Sequence, residues 1–201
     1  MHLIGTLFAY MIAEHHCKRR RDMKLCGLDF ETANTCSGSI CAVGTALLED
    51  GVVLERREYL VKPHPSVDYM SNFCRNIHGI AYEDLRESPE FPEIWQNVKM
   101  LLKSADSVVI HNAAFDLKHL REVLRLYCLP QVSFNYVCSA QLCRYHFPEL
   151  PHHGLADMAE EFGITFQHHD ALEDAETCAK IASQLEIPEN FVCRFEYPIN
   201  A

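Results

Sequence analysis

The 201 residues suffice for one domain of ordinary size and are too few for a multidomain machine. With 48% hydrophobic and 23% charged residues, and only 8 Gly and 9 Pro, wholesale disorder and collagen-like repeats are excluded. Eighteen basic against 28 acidic side chains give a net charge of −10, which argues against a basic surface that coats duplex nucleic acid, though not against a site that grips one strand end with local charge.

The chain opens with an apolar run over 3–13, followed by Glu14-His15-His16-Cys17 and the basic cluster Lys18-Arg19-Arg20-Arg21. As a helix that run would cover about 16 Å of a hydrocarbon core of about 30 Å, so no membrane span is expected. Its basic residues follow the apolar stretch, opposite to the order in a secretory signal. Residues 1–23 therefore read as an N-terminal extension, a surface helix or loose attachment, and Met23 offers a second possible start.

Residues 24–31 have the length and apolar content of a strand, with the turn-forming run Asn34-Thr35-Cys36-Ser37-Gly38 after it. A second strand is expected over 39–48. Asp50-Gly51 is a hairpin signal, so a third strand over 52–62 completes a meander. Pro63 and Pro65 end it, and an irregular stretch containing Asn76-Ile77-His78-Gly79-Ile80 follows. Helical period returns over 91–103 in Ile94, Trp95, Val98, Leu101 and Leu102. A short β-branched strand spans 107–110, a helix 113–127 carries Leu117, Leu120 and Leu124, and 134–137 reads as the last strand. Two closing helices are expected over 154–162 and 171–185, and 187–201 is a tail with no clear period. No internal repeat interrupts this α/β order, a sheet flanked by helices with its domain at 24–186.

The ten cysteines contain no C-x-x-C and lie mostly in apolar runs. That pattern suits reduced, buried thiols and a cytoplasmic location, not a disulfide framework or structural zinc.

The chemistry begins at Asp29-Phe30-Glu31-Thr32. Residues two apart on a strand share a face, so Asp29 and Glu31 present paired carboxylates while Phe30 points opposite, toward core. Neighbouring anions beside a buried strand call for a raised pKa or a cation between them. Taken alone, the pair also fits two ordinary acids at a solvated strand end. A second group, His111-Asn112-Ala113-Ala114-Phe115-Asp116, sets Asn112 as a helix cap and Asp116 in the first turn. A third, His168-His169-Asp170-Ala171-Leu172-Glu173-Asp174, makes Asp170 and Glu173 a capping pair and places Asp174 in a first turn, where the helix dipole favours an ionised carboxylate.

In these motifs the chain resembles the DEDDh exonuclease superfamily, which includes the proofreading epsilon subunit of bacterial replicative polymerases and RNase T-like enzymes. The resemblance covers roughly 24–185. D-x-E matches Asp29 and Glu31, the Asp after H-N-x-x-F matches Asp116, and H-x(4)-D matches His169 and Asp174. The sister group's Tyr would stand where this chain has Asp170, so the chain falls in the His branch. Ile77-His78-Gly79-Ile80 resembles the H-G-I element of proofreading-type members.

The resemblance implies an RNase H-like fold with a mixed five-stranded sheet, and 3′-to-5′ hydrolysis of phosphodiesters that releases nucleoside 5′-monophosphates. It implies Asp29, Glu31, Asp116 and Asp174 as ligands of two Mg²⁺ or Mn²⁺ ions, hard cations suited to oxygen donors, and His169 as general base. His168 reads as a surface or capping histidine. Phe30, Thr32, His78 and Asn112 are expected near the terminal nucleotide, the first two through backbone. Phe73 and Tyr82 are further stacking candidates, whereas Trp95 falls on the core stripe. The expected partners are single-stranded or frayed 3′ ends, DNA foremost, and a DNA polymerase is a further candidate. Both monomers and dimers occur in the superfamily. The short stretch after 185 favours freestanding action. A scaffold without turnover would be betrayed by a missing ligand, and none is missing; phosphatase action on mononucleotides is a lesser alternative.

Overall fold

The computed structural model describes residues 23–197. The expectations for 1–22, including Cys17, lie outside the described residues. The chain forms β1 (Lys24–Thr32), β2 (Ile40–Glu49), β3 (Val52–Leu60), α1 (Asn72–His78), α2 (Phe91–Ser104), β4 (Ser107–Ile110), α3 (Ala114–Leu126), β5 (Val132–Cys138), α4 (Ser139–His146), α5 (Leu155–Glu161), α6 (Ala171–Ser183) and β6 (Cys193–Tyr197). Short 3₁₀ turns occupy Pro65–Val67, Tyr82–Leu85 and Glu189–Phe191.

The strands lie in the order β3-β2-β1-β4-β5-β6. β1, β4 and β5 run parallel; β2, β3 and β6 are antiparallel to their neighbours. The meander forms as expected, and Asp50 and Gly51, at φ 52° and 81°, supply the two left-handed residues of its tight turn.

The sheet has six strands, not five, and β5 is not the last. β6 arises within the stretch read as a tail without period: it is five residues long, and only Phe195 and Tyr197 of it are buried, too little alternation to announce a strand. Asn72–His78, read as irregular, is a helix. Ser71 caps it by accepting from the N–H of Cys74 at 3.1 Å, and Gly79 ends it at φ 78°.

Alternation along β1 splits the core in two. Cys26, Leu28 and Phe30 face one layer with Trp95, Val98, Leu120 and Leu124 of α2 and α3. Leu25 faces the other, with Leu142, Met158, Cys178 and Ile181 of α4, α5 and α6. Asp29 and Glu31 share the parity of Leu25 and so point toward α6. That helix lies unusually close to the sheet because two glycines lie beneath it. A Cβ on Gly27 would fall 1.8 Å from the carbonyl oxygen of Ala175, and one on Gly44 would fall 1.9 Å from that of Ala171. Gly44 is also the register partner of Asp29, so the start of α6 comes down directly over the first carboxylate.

Lys24 and Tyr197, the ends of β1 and β6, lie at the amino ends of the parallel strands, opposite to the pole where Asp29 and Glu31 lie. Among the described residues no helix is long and apolar enough to cross a membrane. Their nine cysteines are free; Cys26, Cys41, Cys74, Cys143 and Cys178 are buried, while Cys128 and Cys193 are exposed, contrary to a wholly buried set. Cys128 sits in a left-handed turn after α3, and Cys193 projects to solvent from the edge strand.

Candidate active site

β1 changes register with β2 between Glu31 and Thr32, an irregularity that re-aims the strand end where it meets the cleft. Beyond it, the Asn34 amide donates to the carbonyls of Val67 and Tyr69, both at 2.8 Å, and the N–H of Ser71 donates to Ala33 O at 2.8 Å. These bonds bring α1 to the cleft wall. Its last residue, His78, accepts from the N–H of Ile80 at Nδ1, 3.0 Å, so Nε2 carries the proton and donates to Thr32 O at 3.2 Å.

Asp29, Glu31 and Asp174 each offer an oxygen, and the three oxygens lie within 4.8 Å of one another. Asp116 enters from the first turn of α3, its Oδ1 accepting the N–H of Phe30 at 3.1 Å. Asp174 enters from the first turn of α6, whose cap is the Asp170 carboxylate accepting from the N–H of Glu173 at 3.0 Å. The reciprocal half of that capping pair does not form: Glu173 spends its carboxylate on Arg56, at 2.8 Å.

Four acids so close are costly without a counter-charge. Burial first, then the charges of Asp116, Asp174, Glu31 and Asp170, hold Asp29 well above the usual carboxylate range. Burial first, then the charges of Asp174, Asp116 and Asp170, push Glu31 up to about 8. Burial lifts Asp116 to about 8 despite the Phe30 N–H, and Asp174 to about 7 despite the N–H of His169. Asp174 Oδ1 is buried with no hydrogen-bond partner. Clustered hard oxygen donors, mutual repulsion and an orphaned oxygen fit a divalent cation bound among Asp29, Glu31 and Asp174; Asp116 lines the same cleft but does not belong to that 4.8 Å cluster.

His169 stands beside this group, its backbone N–H donating to Asp174 Oδ2 at 3.3 Å. His168 lies at the surface as expected and caps no helix; its Nε2 is 3.9 Å from Asp174 Oδ2, and its ring stacks on that of His169. Both histidines line a cleft of about 550 Å³ together with all four acids.

Thr32, His78 and Asn112 also line the cleft. Asn112 does not cap α3; it adopts φ 61°, its carbonyl accepts from the N–H of Phe115, and the cap position belongs to Ala113. No side chain caps α3, so the capping expectation fails while the placement near the site stands. The ring of Phe30 is core, 3% exposed, and its N–H is committed to Asp116, so only its backbone borders the cleft. Of the stacking candidates, Phe73 lines the cleft and is exposed, Trp95 is fully buried, and Tyr82 donates to Asp68 away from the site.

Sequence reasoning overlooked Ile77, His111, Phe115 and Lys118, all of which line the cleft. His111 is half-buried, its pKa lowered by desolvation to about 4, and bonded through Nδ1 to Ser139 Oγ at 2.9 Å. The visible signal was their place: each lies next to or within a motif already singled out.

The model of the RNase T exonuclease family matches residues 26–182. A DNA polymerase III of PolC type from Streptococcus pneumoniae (strain D39) is 25% identical over 144 residues, 71% of this chain and 9% of that protein. The PolC-type polymerase of Listeria monocytogenes is 26% identical over 168 residues, 82% and 11%. The chain thus spans about a tenth of the length of these relatives. Among solved structures, the nuclease domain of 3′hExo, a DEDDh family member bound to rAMP, superposes with a TM-score of 0.68 at 20% identity over 85% of this chain and 98% of that one. Exonuclease X in complex with 5′ overhanging duplex DNA gives 0.62 at 22%, over 79% and 89%. Both are likenesses of fold.

Proposed function

Since the chain belongs to the RNase T exonuclease family, as a nuclease of DEDDh type resembling the polymerase III proofreading domain, we propose that it removes nucleotides stepwise from 3′ ends, single-stranded or frayed DNA foremost, as nucleoside 5′-monophosphates. The observation that carries this reading is the meeting of Asp29, Glu31 and Asp174 oxygens within 4.8 Å at the pole where His169 contacts Asp174.

Asp29, Glu31, Asp174 and Asp116 would hold two Mg²⁺ or Mn²⁺ ions, which when bound supply charge to neutralise the scissile phosphate and acidify an attacking water. His169 takes the proton of that water at a ring nitrogen as the water oxygen bonds to phosphorus, and the bond to the departing 3′ oxygen breaks, that oxygen taking a proton from solvent water in the open cleft. Thr32 backbone, His78 and Asn112 border the terminal nucleotide, and the exposed Phe73 offers it a stacking surface.

The unit carrying this activity is the domain over 24–186, preceded by the extension 1–23, with β6 of the tail pairing to its sheet. The unpaired cysteines support a reducing, cytoplasmic setting. The likeness to PolC-type polymerases supports a DNA polymerase as a partner, tested by whether one accelerates mismatch removal.

The test is a 5′-labelled oligonucleotide with Mg²⁺ or Mn²⁺, expected to give a descending ladder that a chelator abolishes. Single-stranded DNA and a duplex with a 3′ mismatch should outpace blunt duplex and RNA. Equal rates on blunt duplex and single strands would overturn the end preference, and no cleavage of any member would overturn the activity.

A further inference from the structure

His169 holds φ 65°, a left-handed conformation disfavoured for a residue with a β-carbon, and lies on the short connection into α6. A loop imidazole there has free rotation about two side-chain bonds unless something fixes it. The fixing element is visible. Its ring lies 3.9 Å, centroid to centroid, from the ring of His168, with 19° between planes. His168 in turn meets Phe166 at 5.6 Å and 54°, and Phe166 packs against the apolar cluster under α4, α5 and α6. Three rings therefore form a column that runs from the core to the cleft and ends on His169.

The same geometry speaks against His168 as a cation ligand. Donor atoms of His168, His169 and Asp174 lie within 4.8 Å of one another. With ring planes almost parallel, however, the in-plane lone pairs of the two imidazoles run side by side and do not converge on one ion. The Nε2 of His168 is also 3.9 Å from Asp174 Oδ2, beyond a hydrogen bond.

We propose that His168 is a positioning residue, holding the His169 ring in its working orientation through the Phe166–His168–His169 column. The proposal rests on the reading of His169 as general base. What His168 contributes is a flat face and not a nitrogen, so ring orientation is set before a nucleic-acid end arrives and less is lost at the moment of reaction.

The experiment compares His168→Ala, His168→Gln and His168→Phe in the full chain with Mg²⁺ and a single-stranded oligonucleotide, His169→Ala serving as reference. The Ala and Gln variants should lower kcat about tenfold with KM within about twofold, and Phe should recover most of the loss. In the cation-free protein, the carbon-bound ring protons of His169 should shift in the NMR spectrum when His168 becomes Ala, as the ring current above them is lost. A wild-type kcat in His168→Ala, a change confined to KM, or rescue by Gln but not Phe would each overturn the proposal. If His169→Ala itself kept the wild-type rate, the general-base reading would fall with it; an inactive His169→Ala beside a fully active His168→Ala would sink the positioning role alone.

Discussion

The backbone N–H of Phe30 donates to Oδ1 of Asp116, joining residues 86 positions apart at the wall of the cleft. One bond thus fixes the first motif strand against the second motif helix. Asp116→Asn keeps an oxygen for that N–H and removes the charge, so it should abolish exonuclease activity while leaving the melting temperature near wild type or above it. Asp116→Ala also strands a buried N–H, at about 1–3 kcal/mol, and should lower the melting temperature as well. Equal melting of the two variants would show that the bond is not a structural tie.

His169→Ala should reduce kcat by about 10²- to 10⁴-fold, the usual contribution of a general base. Asp29→Asn should be the more severe of the two, because it removes a charge at the centre of the cage. Single-turnover cleavage of a labelled oligonucleotide measures both.

The crowded acids predict an unusual pH dependence for the cation-free protein. Glu31 and Asp116 release their protons near about 8 in the fold and Asp174 near about 7, against 4.5, 3.8 and 3.8 in an unfolded chain. Between those values the folded state holds more protons than the unfolded, so their stabilising contribution is complete at low pH and is lost as pH rises through the folded values. His111 and His119 run the other way. Burial lowers both to about 4 from 6.5, so their contribution is present above 6.5 and is lost as pH falls toward 4. Above pH 6.5 the acids dominate, joined toward the top of the range by buried thiols such as Cys26, whose pKa is likewise raised by burial, and the melting temperature should fall between about pH 6.5 and 8.5. Mg²⁺ or Mn²⁺ should restore it, and Glu31→Gln should flatten the decline. A chelated wild type whose melting temperature is level over that range would contradict the crowding.

Gly27→Ala and Gly44→Ala each drive a methyl into the backbone of α6 at under 2 Å. The destabilisation should reach or pass the upper end of the roughly 1–3 kcal/mol typical of overpacking, because backbone cannot turn aside as a side chain can. Where such a variant still folds, Asp174 is displaced from Asp29, so divalent-cation affinity measured by calorimetry should drop with the melting temperature.

Much of this arrangement was readable from local pattern. Asp50-Gly51 announced the hairpin through backbone chemistry, and the helical period of Ile94, Trp95, Val98 and Leu101 announced α2, because both signals act over a few residues. The acids were readable because three short motifs recur in one order. β6 and α1 were not: the one buries too few residues to alternate, and the other spans seven residues held by a serine cap and a glycine stop more than by an apolar stripe. Asn112 misled because a residue suited to capping also tolerates φ 61°, and only the chain's path decides which property is used. The surface position of His168 is legible in the sequence, whereas its stacking on His169 depends on the path of the loop and is not.

The two ends of the described chain leave the sheet at the pole remote from the acids. The pole that carries the acids is therefore clear of Met23 and Tyr197. Within the described residues, a strand can thus come up to the acids from its own side of the sheet without passing either of those positions.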